Sequence, residues 1–334
     1  MDKLLPAALL SSLLLAACNL EASPPRPASG SLALGHVKFL SQDVGSRPSG
    51  SAGEQNAAAY TYSVLREHGY APRLQPFEYT RQETTFRSQN VIGTKPGRSA
   101  KEIIVIAHID NVAEVGQGAD DNASGVAVLL EAAQRLARVG TPYTLRFIVA
   151  GSEENGLRGS RDYAGRMTAA EVANTVLVIN LDSLLAGDQM YVYGEGPQGA
   201  ASRDDALNWA KRHGKNVITQ PGQNPEYPAG TTGDWSDHAP FKKLGISYAY
   251  LEATNWNLGD KDGYTQTEKH GSIWHTEKDT LEFLNREFPG RVEEHLQVFS
   301  DLLTHMLTNP PAPAAAQPLS IPLRVQDVPT ERWR

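Results

Sequence analysis

The chain has 334 residues, enough for one large α/β domain or two smaller ones, and 40% of them are hydrophobic, enough for a sizeable core. Against 38 acidic residues stand 31 basic ones, a net charge of −7 with no basic cluster, which excludes nucleic acid as an expected partner. The one cysteine, Cys18, leaves the rest of the chain without disulfides, a thiol nucleophile or a Cys-ligated metal, so any catalytic metal must rest on His and carboxylates.

The opening "MDKLLPAALLSSLLLAAC" carries Lys3, then an apolar run too short to span a bilayer, then small residues before Cys18. It reads as a signal peptide over 1–17. The ending "LAAC" resembles a bacterial lipobox, which predicts a lipidated Cys18 and a Pro/Ser/Ala-rich tether over 18–30. This implies export to the cell envelope, with membrane attachment through the lipid only. An ordinary secretory signal with an incidental cysteine is the alternative. Residues 31–308 are the expected domain, free of internal repeats, and 309–334 form a Pro-rich loose tail.

Within 31–308, strand-like and helix-like segments alternate, the pattern of a layered α/β sheet. "GSAGEQNAAAYTYSVLREHGY" predicts a helix with Ala58, Tyr62 and Leu65 on one face and Gly69 closing it. "EIIVIA" is a short continuous apolar run, as in a strand buried on both faces. "NASGVAVLLEAAQRLARVG" predicts a second helix, capped by Asn122 or Ser124, with Val126, Leu129, Leu130, Ala133 and Leu136 at helical spacing and Gly140 ending it. "YTLRFIVA", "TVLVINL" and "GISYAYLEA" are further buried-strand candidates.

The residues just past each strand carry the chemistry. His108 and Asp110 come after "EIIVIA", Glu153 and Glu154 after "YTLRFIVAGS", and Asp182 after "TVLVINL". In an open parallel sheet the ligand crevice lies beyond the carboxyl ends of the strands, so all of these reach one rim. Asp120 and Asp121 in "GADDNASG" arrive there just before a helix. Adjacent carboxylates such as Glu153 and Glu154 repel, and a solvated loop would explain them alone. So many acids on one rim instead call for cations. Imidazole and carboxylate without sulfur suit zinc or a similar divalent ion, and two ions with a bridging carboxylate account for the surplus acid. A second histidine is needed, and "SDHAPF" (His238) and "IWHTEKD" (His275) both offer one.

"AHID", "GADDNASG", "GSEENGLRGS", "NLDS", "SDHAPF" and "IWHTEKDT", in this order, resemble the M28 family of di-zinc aminopeptidases. Any one motif is weak; six in order, with "SRPSGSAGEQNAAAYTYSVLREHGY" and "SQNVIGTKPG" before them, are specific. The resemblance implies a single-domain α/β fold, a three-layer α/β/α sandwich with a mostly parallel, mixed central sheet, of zinc-exopeptidase type. It implies His108 and Asp182 on one metal, Glu154 and His275 on the other, and Asp120 bridging them. Glu153 would be the general base and Asp110 the partner that orients His108. Asp121 and Asn122 would shape the turn around the bridge. "EATNWNLGDKDGYTQT" resembles the branch named for alkaline phosphatase isozyme conversion, which removes N-terminal arginine. That implies a peptide or protein substrate with a free N-terminus, Arg or Lys first, met by acids such as Glu252, Asp260 and Asp262.

His238, Tyr250, Glu252 and Tyr264 are the expected substrate-binding residues, His238 lining the pocket or packing on Phe241. Trp274 departs from relatives with a tyrosine before the last histidine, and leaves Tyr250 or Tyr264 to assist the oxyanion. Most acids of "LGDKDGYTQTEKH" read as solvated loop charges. Two other readings stay open: a single-metal glutaminyl cyclase, and a binding lipoprotein that keeps the fold without activity.

Overall fold

The computed structural model describes residues 27–113 and 115–312. The expectations for the signal peptide, Cys18 and most of the tether, and for 313–334, lie outside the described residues. One mixed sheet of eight strands dominates: β1 Arg73–Arg81, β2 Thr84–Lys95, β3 Ser99–His108, β4 Tyr143–Ala150, β5 Thr175–Leu181, β6 Gln189–Glu195, β7 Val217–Ile218 and β8 Tyr248–Thr254, in the order β1-β2-β4-β3-β5-β8-β6-β7. The centre, β4-β3-β5-β8, is parallel throughout, while β1, β2 and β6 pair antiparallel with their neighbours on the side of the centre. This is the expected α/β class.

The helices are α1 Ser31–Lys38, α2 Ala52–Glu67, α3 Gly125–Leu136, α4 Arg158–Gly165, α5 Ala169–Asn174, α6 Gly196–Arg212, α7 Ala239–Lys243, α8 Leu281–Glu287 and α9 Arg291–Thr308. They divide between the two faces of the sheet. Ile103, Val105 and Ala107 of β3 point into one core with α1, α2, α3, α6, α8 and α9. Ile104 and Ile106 point the other way, towards Tyr163 of α4 and Phe241 of α7. Alternation on a strand buried on both faces thus produces the continuous apolar run read from the sequence.

Local signals explain the element ends. Ser51 accepts the Glu54 N–H at the start of α2, and Gly69, at φ +85°, turns the chain out after it, a conformation costly for other residues. At α3 the choice between two caps is resolved: Asn122 Oδ1 accepts the Gly125 N–H at 2.8 Å, and its Nδ2 donates to the Leu181 carbonyl at 2.9 Å. The helix start is thereby tied to the end of β5. α3 stops at Leu136, short of the expected Gly140.

A buried arginine joins the first segments to the sheet. Arg47 is fully enclosed and donates five hydrogen bonds, all to carbonyls: Leu40, Gly45, Ile109, Gln117 and Gly118, at 2.7–2.9 Å. Burial lowers its pKa to about 10, offset by the carboxylates of Asp279, Asp110 and Asp121, so it stays charged at neutral pH. Three of its carbonyl partners, Ile109, Gln117 and Gly118, lie in the loop that leads from β3 to the acids before α3.

Candidate metal centre

Three neighbouring parallel strands end at one level. His108 closes β3, in register with Ala150 at the end of β4, and β5 runs straight into Asp182. Past β4 the chain turns through Ser152, at φ 54°, before Glu153 and Glu154; past Asp182 it turns through Ser183, at φ 53°. His275 itself has φ 55°. Left-handed backbone at non-glycine residues is uncommon, and here it gathers where functional side chains are aimed.

Asp110 anchors the glutamate pair. Its carboxylate accepts the backbone N–H of Glu153 at 2.9 Å and of Glu154 at 3.2 Å, and the Ser49 hydroxyl at 2.6 Å. Towards His108 it contributes mainly its carbonyl, 3.1 Å from Nδ1, with the carboxylate at 3.6 Å.

Two histidines face each other across one carboxylate. His108 Nε2 lies 3.2 Å from Asp121 Oδ1 and 3.2 Å from Asp182 Oδ1. His275 Nε2 lies 3.1 Å from Asp121 Oδ2 and 3.0 Å from Glu154 Oε2. Each trio, His108/Asp121/Asp182 and Asp121/Glu154/His275, keeps its ligand atoms within 4.8 Å of one another. Asp121 belongs to both.

This corrects the expectation for Asp120. The resemblance implies Asp120 between the metals; in the structure it is Asp121 that lies between the two histidines. Asp120 turns away and is saturated by hydrogen bonds, from the Leu185 N–H at 2.6 Å, the Ala186 N–H at 3.0 Å and Gln266 Nε2 at 2.6 Å. Its oxygens are spent on protein donors. Adjacent side chains point apart on a turning backbone, so only one of the two aspartates can face the histidines.

The electrostatics fit a cation. Burial drives the Glu153 carboxyl well above its ordinary range, opposed by His108 and reinforced by Glu154. Burial and then Asp121 raise Glu154 to about 7. Although burial works against it, Asp121 and Glu154 push His275 up to about 11. Despite its own burial, Asp121 is held below the carboxylate range by the two histidines. The buried oxygen Glu154 Oε1 has no hydrogen-bond partner among the described residues, an acceptor suited to positive charge. A nitrogen and oxygen donor set of this kind, without sulfur, suits zinc. The two sides differ in access, since the His108 side chain is 2% exposed and that of His275 46%.

The expected substrate-binding residues separate. Glu252 and Tyr250 are 1% exposed. Glu252 accepts the hydroxyls of Tyr193 at 2.7 Å and Tyr250 at 3.3 Å, and burial raises it to about 8. Both belong to the floor beneath the rim. His238 is enclosed too, with its ring against Tyr248 and Tyr250 and Nε2 donating to the Gly233 carbonyl at 3.0 Å. Burial lowers it to about 4, so it is neutral, and it belongs to neither trio. Tyr264, 61% exposed, lies edge-on to Trp274 beside His275. Sequence reasoning misses Ser236, whose hydroxyl donates to Asp182 Oδ2 at 2.7 Å while Asn180 donates to Ser236 at 2.8 Å. "SDHAPF" signals the segment, but its first residue makes the contact.

Residues 90–299 match peptidase family M28. The chain is 35% identical over 306 residues to the alkaline phosphatase isozyme conversion protein of Escherichia coli, covering 82% of this chain and 88% of that one. It superposes on BSAP, a zinc aminopeptidase from Bacillus subtilis, with a TM-score of 0.67 at 19% identity, over 83% of this chain and 94% of that chain. A glutaminyl cyclase from Porphyromonas gingivalis superposes with a TM-score of 0.64 at 22% identity, over 84% of this chain and 98% of that chain. At such identities the two solved structures share the fold, which does not by itself choose between their reactions.

Proposed function

The chain belongs to peptidase family M28 and is a zinc-dependent metallo-aminopeptidase acting on peptides or proteins; we propose that it works with two metal ions that share Asp121. The observation that carries the second ion is the double trio about Asp121, with each of its oxygens turned to a different histidine. His108 and Asp182 complete one position, Glu154 and His275 the other. Ions held by these residues would supply Lewis-acid polarisation of the attacking water and the scissile carbonyl.

The chain's own residues do the rest. Glu153 carries no ligand duty in either trio, and burial raises its affinity for a proton, the direction a general base needs. It takes a proton from the attacking water and passes it to the leaving amine. Asp110 holds the Glu153 and Glu154 backbone so that one side chain faces the water and the other the histidine. Ser236 fixes the rotation of Asp182. A substrate ammonium finds Glu153 and Asp182 at the rim, so peptides with a free N-terminus should be cleaved and acetylated ones spared.

A single-metal cyclase leaves the second trio without a purpose, and an inactive binding protein leaves both without one. The deciding measurement is metal content with a peptide assay. Two zinc equivalents per chain, lost with activity on chelation and regained together, support the reading; full activity after exhaustive chelation defeats it. Glu153→Gln should keep both metals while kcat falls by roughly a hundred- to ten-thousand-fold. Glu154→Gln should lose metal affinity along with rate and recover partly in excess metal. Rescue of the Glu153 variant instead would reverse the two roles.

A preference for N-terminal Arg or Lys rests on the relation to the isozyme conversion branch and on Asp260 and Asp262 in the loop after β8. Glu252 drops out as a direct partner because it is enclosed. A panel of aminoacyl reporters led by Arg and Lys supports this preference; one led by leucine overturns it. Export and lipid attachment at Cys18 complete the proposal, tested by metabolic labelling with a radioactive fatty acid: label lost in Cys18→Ser supports it, and no label in the native chain ends it.

A further inference from the structure

Two acids outside the trios, Asp120 and Asp279, form a closed hydrogen-bonded circuit behind them. Asp120 accepts the N–H groups of Leu185 and Ala186, just past Asp182, and on its other oxygen Gln266 Nε2. Gln266 Oε1 in turn accepts the N–H groups of Ile273 at 2.8 Å and Trp274 at 2.9 Å, immediately before His275. Asp279, past His275, accepts the N–H of Asp120 at 2.6 Å and of Asp121 at 3.1 Å, one on each oxygen. Its carbonyl accepts the Gln117 N–H at 2.8 Å. Gly116 allows the two loops to approach this closely, since a Cβ there would lie 2.6 Å from the Thr276 carbonyl. Asp120 and Gln266 are fully buried and Asp279 nearly so.

Three chain segments, carrying Asp121, Asp182 and His275, therefore meet in side chains that belong to neither trio. Gln266 is the joint between them: its donor end holds the Asp182 side through Asp120, and its acceptor end holds the backbone that aims His275. An amide suits this place, with a donor for a carboxylate at one end and an acceptor for two N–H groups at the other. We propose that Gln266 is a positioning residue that sets how far His275 stands from Asp121, and thereby tunes one metal position without touching it.

The inference rests on the two-metal reading, and the experiment separates their failures. Zinc and cobalt are titrated into the native chain and into Gln266→Met, which keeps the bulk and removes both ends of the joint. If the native chain does not take two equivalents, the two-metal reading has failed before any variant is compared. If it does, Gln266→Met should bind one equivalent about 10–100-fold more weakly, the usual cost of losing a support behind a ligand, and leave the other within a few-fold. The visible spectrum of the cobalt form should change in the weakened equivalent, and kcat should fall more than KM rises. Both equivalents and the cobalt spectrum unchanged, with only the melting temperature lowered, would overturn the inference. Equal weakening of both would overturn it too, since that is general loosening. Should Gln266→Met fail to fold, Gln266→Glu is read by the same criteria, because it keeps the acceptor end and sets a carboxylate against Asp120.

Discussion

Replacing Arg47 by lysine tests how much of the centre depends on the segment that precedes the sheet. The charge survives the change, so its attraction to Asp279, Asp110 and Asp121 is kept. The geometry does not survive. Five carbonyls share the guanidinium N–H groups, and two of them, Leu40 and Gly118, also accept the backbone N–H groups of Gly45 and Ala123. An ammonium standing in place of Nη1 serves Leu40, Gly45 and Gln117 but leaves the Ile109 carbonyl, bonded only to Nε, without a donor around a fully enclosed side chain. One unsatisfied buried acceptor sets the loss at about 1–3 kcal/mol. Against a domain stability of about 5–15 kcal/mol the variant folds but is much weakened. Arg47→Met leaves the Gly45, Ile109 and Gln117 carbonyls without a donor, a loss of roughly 3–9 kcal/mol, and should be far less stable than Arg47→Lys. Urea unfolding at neutral pH with metal held constant gives the number directly. A loss below about 1 kcal/mol for Arg47→Lys would refute the reasoning, because it would mean the carbonyls are satisfied without the guanidinium.

Glu131 is fully buried in α3 and receives the N–H groups of Gly30 at 2.9 Å and Ala33 at 2.7 Å with Arg135 at 2.6 Å, so Glu131→Gln should cost about 1.5–3 kcal/mol and speed protease cleavage before α1. His295 is buried neutral, its pKa lowered from 6.5 to about 4, so the unfolded chain takes up a proton first and stability is lost as pH falls from 6.5 towards 4. Denaturation at pH 7.5 and pH 5 should show His295→Gln losing less than the native chain, by up to roughly 3 kcal/mol over the whole window. Glu252 runs the other way: its pKa is raised from 4.5 to about 8, so the unfolded chain ionises first and stability falls as pH rises between those values. Glu252→Gln should therefore melt higher than the native chain at pH 8 and alike at pH 4; a lower melting temperature at pH 8 would show that Glu252 is ionised in the fold.

The central strands and the rim are legible because each strand is a continuous apolar run ending in a His or an acid. β1 and β2 are not, for a physical reason. Their turn is Gln82-Glu83, both at positive φ, where Asn-Gly is the usual signal, and β1 is largely exposed. β8 is legible as a buried strand, but without β6 in view Tyr250 and Glu252 read as substrate-facing residues. Pairing with β6 is what encloses Tyr250 and Glu252. Asp120 and Asp121 are indistinguishable by type and neighbours. The choice between them is made by non-helical backbone at Asp121 and Asn122 and by Asp279, 158 residues from Asp121. No local pattern encodes that contact.

The sheet also works as a ruler. Neighbouring strands lie about 4.8 Å apart, so residues leaving β4, β3 and β5 at one level inherit spacings on the scale of a metal's coordination sphere. One residue inserted within β3 or β5 would carry His108 or Asp182 to the opposite face, which leaves these segments almost no freedom to drift in length. The loops over 221–235 and 255–265, short of Ser236 and Gln266, are under no such rule. In a lineage of such enzymes, appetite for a new substrate can be edited there by insertion and deletion, while the reaction itself is copied unchanged.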